Sequence, residues 1–168
     1  GGCIVSDDEN VLSYARDARL LGVQNDTEKR FQSKRSCEFE VVNQGWRYHM
    51  SDIMAAIGIV QLSRLEEFSC KRRNIAKIYD YKLKKNKFIT TLSRNYDEVL
   101  PHIYPVILSK KIQRKDFQNY LLSKNIQTGI HYQPNHLLEL YKKQNDIFLK
   151  NTESIYKNII SLPLHPEI

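Results

Sequence analysis

The spacing of apolar residues from Ser51 onward constrains this chain more than any other feature. Ala55, Ala56, Ile59, Leu62 and Leu65 recur at helical intervals, and Ile75, Ala76, Tyr79 and Leu83 extend the stripe. Ser51 and Asp52 provide a capping signal, with Met50 directly before them. Read literally, one helix runs from Ser51 to about Lys84, longer than most globular helices. A helix of that length suits a link between two domains. Ala55, Ala56 and Gly58 keep its first turns thin, so another helix or strand can approach closely.

The segment feeding this helix, "GWRYHM" (45–50), alternates Trp46, Tyr48 and Met50 with Arg47 and His49. In extended backbone, residues two apart share a face. Arg47 and His49 then point one way and the three large side chains point the other, into a core. Two donors ahead of a helix start suit an anion, because the first turn adds unpaired N–H groups and partial positive charge. A guanidinium also forks well onto phosphate oxygens. A surface hairpin with solvated basic side chains satisfies the same spacing.

Elsewhere the elements are shorter. Cys3–Ser6 reads as a strand, and Asp7 or Asp8 can cap a helix striped by Val11, Leu12, Ala15, Ala18 and Leu21, with Gly22 as its stop. Residues 24–37 read as a loop and Glu38–Asn43 as a strand. "HIYPVIL" (102–108) is a strand whose Pro105 argues for an edge or a bulge. Residues 114–125 form a helix and 126–134 a strand; Asn145 or Asp146 caps a last helix to about Ile159, and 161–164 is a closing strand. The β-α-β-α-β order after residue 100 implies a compact α+β unit with helices on one face of a sheet.

With 168 residues, the chain fits one domain or a piece of a larger protein. The net charge of +7 is concentrated in "KLKKNK" (82–87) and "SKKIQRK" (109–115), which suggests either an anionic partner or a solvated basic surface. A non-catalytic basic module binding nucleic acid is a further alternative, but the lysine runs hold no interleaved aromatics and no nucleic-acid-reading motif accompanies them, so no nucleic-acid partner is expected, and no membrane partner either. Cys3, Cys37 and Cys70 show no metal spacing and no paired framework, which fits buried thiols in a reducing, cytoplasmic setting. No apolar run approaches the length of a membrane span, and no signal peptide is apparent.

A second unusual stretch is "IHYQPNHLLELY" (130–141). His131, Tyr132 and His136 gather around Pro134. The proline forbids a regular helix, and the spacing lacks the glutamate of a zinc helix, so no metal is expected. Histidines donating hydrogen bonds to a phosphate or sugar are one reading. A strand-end histidine satisfied by backbone is the other. No Ser-His-Asp or Cys-His nucleophile, glycine-rich phosphate cradle or lysine in an apolar frame stands out.

Four stretches in order resemble the C-terminal half of the DegT/StrS family. These are "GGCIVSDDENV", "GWRYHMSDIMAAIGIVQLSRLEEF", "IQTGIHYQPNHLLELY" and "SLPLHPEI". The second is similar to the family signature "GYNYRMSDIQAALGLAQLERLDEF". The resemblance implies a pyridoxal-phosphate (PLP) aminotransferase acting on nucleotide-linked keto-sugars, with an aspartate-aminotransferase-type fold. A PLP-dependent sugar dehydratase of the same family is the alternative.

The resemblance further implies α/β to α+β architecture and a three-part division. Residues 1–50 would end the large PLP-binding domain, 51–84 would be a connecting helix, and 85–168 the small C-terminal domain, truncated at both ends. Active sites would be shared across a homodimer. Arg47, where the family usually has Asn, would hold the PLP phosphate of the partner subunit. His49, where the family usually has Arg, would join His131 and Tyr132 in binding the sugar nucleotide. The Schiff-base lysine would lie upstream, so the chain alone is expected to be inactive. An amino donor such as glutamate is implied, as is a product used in polysaccharide or glycan biosynthesis.

Overall fold

The structure, a computed structural model, describes residues 2–24, 32, 39–142 and 147–168. They form two compact units, Gly1–Ser63 and Arg64–Ile168. The division falls inside the segment expected to be one connecting helix.

In the first unit, α1 spans Glu9–Ala18, and Asp8 caps it by accepting from the Asn10 N–H at 2.8 Å. Gly22 follows at φ +75°, the left-handed stop expected of it. Among the described residues, Cys3–Ser6 forms no strand and Glu38–Asn43 contributes one bridge, Val23 to Val41; Glu38 lies outside the described residues. Each run is too short to hold a ladder with the neighbours described. Cys3 is exposed rather than buried, as is Cys70 in the second unit; Cys37 lies outside the described residues.

Helix α2 covers Asp52–Ser63 and α3 covers Leu65–Leu83, so the expected single helix is interrupted at Arg64 (φ −96°, ψ 3°). Ser63 Oγ donates back to the Val60 carbonyl at 2.8 Å, a local bond that competes with the helical ladder. Arg64 then holds Glu67 at 3.4 Å and lies over the Phe68 ring at 4.4 Å, which anchors the start of α3. The expected Ser51 cap is present: its Oγ accepts from the Met54 N–H at 3.4 Å.

The second unit is built on an antiparallel sheet of β1 (Ile89–Thr91), β2 (Tyr104–Leu108) and β3 (Ile159–Leu162), in the order β1-β2-β3. The expected edge strand is therefore the central one. Pro105 is tolerated because its pairing with Ser161 is of the type without ladder bonds, since Ser161 directs its own N–H and C=O to Gly129. The proline nitrogen faces past the end of β1, which pairs no farther than Val106. Helices α4 (Arg114–Ser123), α5 (Glu139–Lys142) and α6 (Lys150–Asn158) complete the unit, with a 3₁₀ turn at Asn135–Leu137. Among the described residues, 126–134 make the Gly129–Ser161 bridge rather than a strand. The capping residues expected at Asn145 or Asp146 lie outside the described residues.

Ala76, Tyr96, Tyr104, Val106, Leu108, Ile160 and Leu164 form the core, with Ile75, Tyr79, Leu83 and Phe117 packed on it. Two core phenols share one carboxyl. Tyr96 donates to Asp80 Oδ2 at 2.8 Å, and Tyr104 donates to Oδ1. Burial, reinforced by the Asp80 carboxyl, pushes both phenols above the ordinary tyrosine range. Such a group holds its proton more tightly folded than unfolded. Its contribution is thus complete below the unfolded tyrosine pKa of about 10 and is lost as pH rises toward the folded value. Urea unfolding of the full chain should therefore show falling stability above about pH 10. Double replacement Tyr96→Phe/Tyr104→Phe should flatten that limb, and an unchanged slope would refute the assignment.

Candidate functional site

Arg47 and His49 belong to the first unit, where an extended segment seats against the end of α1. The Trp46 N–H donates to the Ala18 carbonyl at 2.7 Å, the Leu21 N–H to Trp46 at 3.0 Å, and the Tyr48 N–H to Arg19 at 2.9 Å. This seat depends on two glycines meeting backbone to backbone. A Cβ on Gly45 would lie 1.9 Å from the Gly22 nitrogen, and one on Gly22 would lie 2.3 Å from the Asn43 carbonyl oxygen.

The alternation read from the sequence is visible, since Trp46 and Tyr48 stack with ring centres 6.2 Å apart and planes 6° apart. Their destination differs from the expectation. Trp46, Tyr48 and Met50 are exposed rather than buried in a core, and Arg47 and His49 are exposed as well. Among the described residues, neither Arg47 nor His49 has an ion-pair or side-chain hydrogen-bond partner. Both stand just ahead of α2, whose first turn carries Asp52.

His131 and Tyr132 belong to the second unit and are in contact. Their rings meet edge to face at 4.8 Å. His131 Nδ1 lies 2.9 Å from Ser161 Oγ, and Ser161 is buried. The Gly129–Ser161 bridge, with bonds of 3.0 and 2.8 Å, brings these residues together. Gly129 leaves room for the ring: a Cβ there would lie 2.7 Å from His131 Cε1. Tyr132 is exposed.

Ser161 was not legible as a positioning residue, because nothing local ties it to a histidine 30 positions earlier. The "SLPL" stretch that contains it was nevertheless conspicuous. His136 is engaged elsewhere. Its Nε2 lies 3.2 Å from Glu153 Oε1, which also accepts from the Leu149 N–H at the start of α6. That pairing makes His136 part of the local scaffold. Among the described residues, no cluster of three or more His, Cys, Asp or Glu is placed to hold a metal.

The whole chain, these segments included, also matches known proteins. The model of the DegT/DnrJ/EryC1/StrS aminotransferase family matches residues 1–168. The chain belongs to this family. It is 31% identical over 172 residues to the UDP-4-amino-4,6-dideoxy-N-acetyl-beta-L-altrosamine transaminase of Campylobacter jejuni, covering all of this chain and 44% of that one. It is 33% identical over 177 residues to an uncharacterized protein of Methanocaldococcus jannaschii, covering 45% of it. The chain thus spans less than half the length of these relatives.

Solved structures agree. PseC of Helicobacter pylori, an aminotransferase involved in the biosynthesis of pseudoaminic acid, superposes over 96% of this chain and 42% of its own with a TM-score of 0.81 and 26% identity. The protein Spr1654 of Streptococcus pneumoniae, in its PMP form, gives 0.81 at 27% identity, over 97% of this chain and 42% of its own. The fold is thus the C-terminal part of a fold type I enzyme, as the sequence implied.

Proposed function

We propose that this chain forms the C-terminal part of a PLP-dependent aminotransferase that transfers an amino group to a nucleotide-linked keto-sugar. The observation that carries the reading is the family match over residues 1–168, joined to a sugar-nucleotide transaminase among the relatives. The structure neighbour in PLP and PMP forms supports the cofactor.

The residues present fit a phosphate ester at one point. Arg47 is an exposed guanidinium, without an ion-pair partner among the described residues, before the positive end of a twelve-residue helix. In the proposed enzyme, Arg47 holds the PLP phosphate of the partner subunit in a homodimer. His49, two residues on, donates toward the same anionic region. His131, its ring oriented by Ser161, and Tyr132 position the sugar nucleotide. Bound PLP supplies an electron sink and a carrier for the amino group. We place the proton-moving lysine of the family outside these 168 residues, so the isolated chain is expected not to transaminate. Residues 1–50 then belong with the large domain and 85–168 form the small one, in a cytoplasmic enzyme of glycan biosynthesis using a donor such as glutamate.

The test is amino transfer by the complete protein from glutamate to UDP-linked keto-sugars, followed by mass spectrometry and by the visible absorbance of bound PLP. Absence of both product and cofactor would overturn the reading. Arg47→Ala should weaken PLP affinity about 10- to 100-fold, the loss expected for a charge-assisted hydrogen bond. Activity should return at saturating PLP. Unchanged affinity would remove Arg47 from the site.

A further inference from the structure

The two lysine runs lie more than twenty positions apart in sequence, and the sheet brings them to one edge. Strand β1 pairs with β2 in the register Ile89 to Leu108, and the ladder continues one step as the Ser109 N–H donates to the Phe88 carbonyl at 2.7 Å. Beyond that point each chain turns. The Asn86 N–H donates to Leu83 at 2.9 Å and the Ile112 N–H to Ser109 at 2.9 Å. Lys84, Lys85 and Lys87 occupy the first turn, and Lys110 and Lys111 the second. All five are exposed, and among the described residues none has an ion-pair partner. Lys157 reaches the same end of the sheet, two residues before Ile159, the partner of Ile107.

Among the described residues no carboxylate pairs with these five lysines, although Asp116 stands exposed in the first turn of α4, next to the second run. Between Tyr81 and Lys115 the acidic residues are Asp97 and Glu98, which lie in the β1–β2 connection at the opposite end of the sheet. The nearest arginine, Arg114, is turned inward, donating to the Tyr156 and Ile159 carbonyls. The cations this patch presents are therefore lysines. Lysine is a compact point charge on a flexible stem, whereas arginine supplies the fork that reads bases and phosphates specifically. Two aromatics accompany the lysines: Tyr81 is 84% exposed and Phe88 51% exposed. Lysines beside exposed aromatic rings match a surface with diffuse negative charge over an apolar layer.

We propose that this lysine-rich end of the three-stranded unit docks peripherally on an anionic lipid bilayer, with Phe88 and Tyr81 entering the headgroup region. In sequence the two runs fit an anionic partner or plain solvated charge equally, and no membrane partner is expected from them. Their union by strand pairing changes that reading. It is also independent of the proposed reaction. Each lysine near an anionic membrane strengthens partitioning about fivefold, from about 1 kcal/mol per residue.

The experiment is co-sedimentation of the full chain with phosphatidylcholine vesicles, with and without phosphatidylglycerol. Binding should require phosphatidylglycerol and weaken steeply with salt. Lys84→Gln/Lys85→Gln/Lys110→Gln/Lys111→Gln should lower partitioning by roughly 600-fold, about fivefold for each lysine. Phe88→Ala should weaken it at every salt concentration, and circular dichroism should confirm that both variants fold. Equal binding to neutral vesicles, or none to either kind, would overturn the proposal. So would lysine-dependent binding to random-sequence duplex DNA without vesicle binding, which would assign the patch to nucleic acid.

Discussion

Tyr104→Ala should cost about 3–5 kcal/mol of stability, near the top of the range for large-to-small core changes. Three features of the residue combine to give that figure. Its side chain is completely buried in the central strand of the sheet. Its ring stacks on Tyr79 with centres 4.8 Å apart and lies under the Arg94 guanidinium at 5.4 Å. Its hydroxyl donates to Asp80, so truncation removes one of the carboxyl's two phenol donors. Loss of the ring opens a cavity in a core that α3 and the sheet cannot readily collapse. Urea unfolding of the full chain measures the cost. Tyr104→Phe separates the two contributions: it keeps the ring and removes only the hydrogen bond, so it should cost about 1–3 kcal/mol. Equal losses for the two variants would mean that the Asp80 bond, not packing, dominates. A loss below about 1 kcal/mol for Tyr104→Ala would contradict the buried position itself.

The sequence showed this core only in part. The stripe of Ile75, Ala76, Tyr79 and Leu83 marked the buried side of α3, because helical spacing is a local signal that packing then uses. Strand β2 was equally legible from its run of large apolar residues. Its central position was not, because the rule that proline prefers edges assumes ladder bonds on both sides. Pro105 escapes the rule through the early end of β1 and the outward bonds of Ser161. Strand β1 is only three residues long, too short for alternation to stand out. The interruption at Arg64 was hidden for a similar reason, since one residue leaving helical geometry scarcely alters a pattern that resumes at Leu65.

The candidate site divides the same way. Alternation from Trp46 to Met50 was correct in backbone terms, and the stacking of Trp46 on Tyr48 follows from it. The inference that these rings enter a core failed because a period of two says which residues share a face, not what covers that face. His131 and Tyr132 stood out by composition. The contact that orients His131 spans 30 positions and needed the Gly129–Ser161 bridge to appear.

Gly45→Ala should do more harm to the first unit than any substitution of Arg47. The new Cβ would fall 1.9 Å from the Gly22 nitrogen and 2.2 Å from the Leu21 carbonyl carbon. Both are backbone atoms, so no rotamer change relieves the clash. The 45–48 segment must lift from the end of α1, losing the bonds that Trp46, Leu21 and Tyr48 make there. Overpacking of about 1–3 kcal/mol and three hydrogen bonds at about 1 kcal/mol each give a local loss of roughly 4–6 kcal/mol. Amide exchange at Leu21, Trp46 and Tyr48 should accelerate about a thousandfold or more, since each 1.4 kcal/mol is about tenfold. Exchange at Val106 and Ile160, in the second unit's sheet, should not change. Gly58→Ala is the control, because a Cβ there meets nothing within 4 Å; it should firm α2 by about 1 kcal/mol in this chain. In the complete protein, Gly45→Ala should weaken PLP binding at least as much as Arg47→Ala, since it displaces the whole segment that carries the guanidinium. Faster exchange with normal PLP affinity would keep the glycine seat and discard Arg47 as its purpose. Unaltered exchange would mean that Gly45 and Gly22 do not meet.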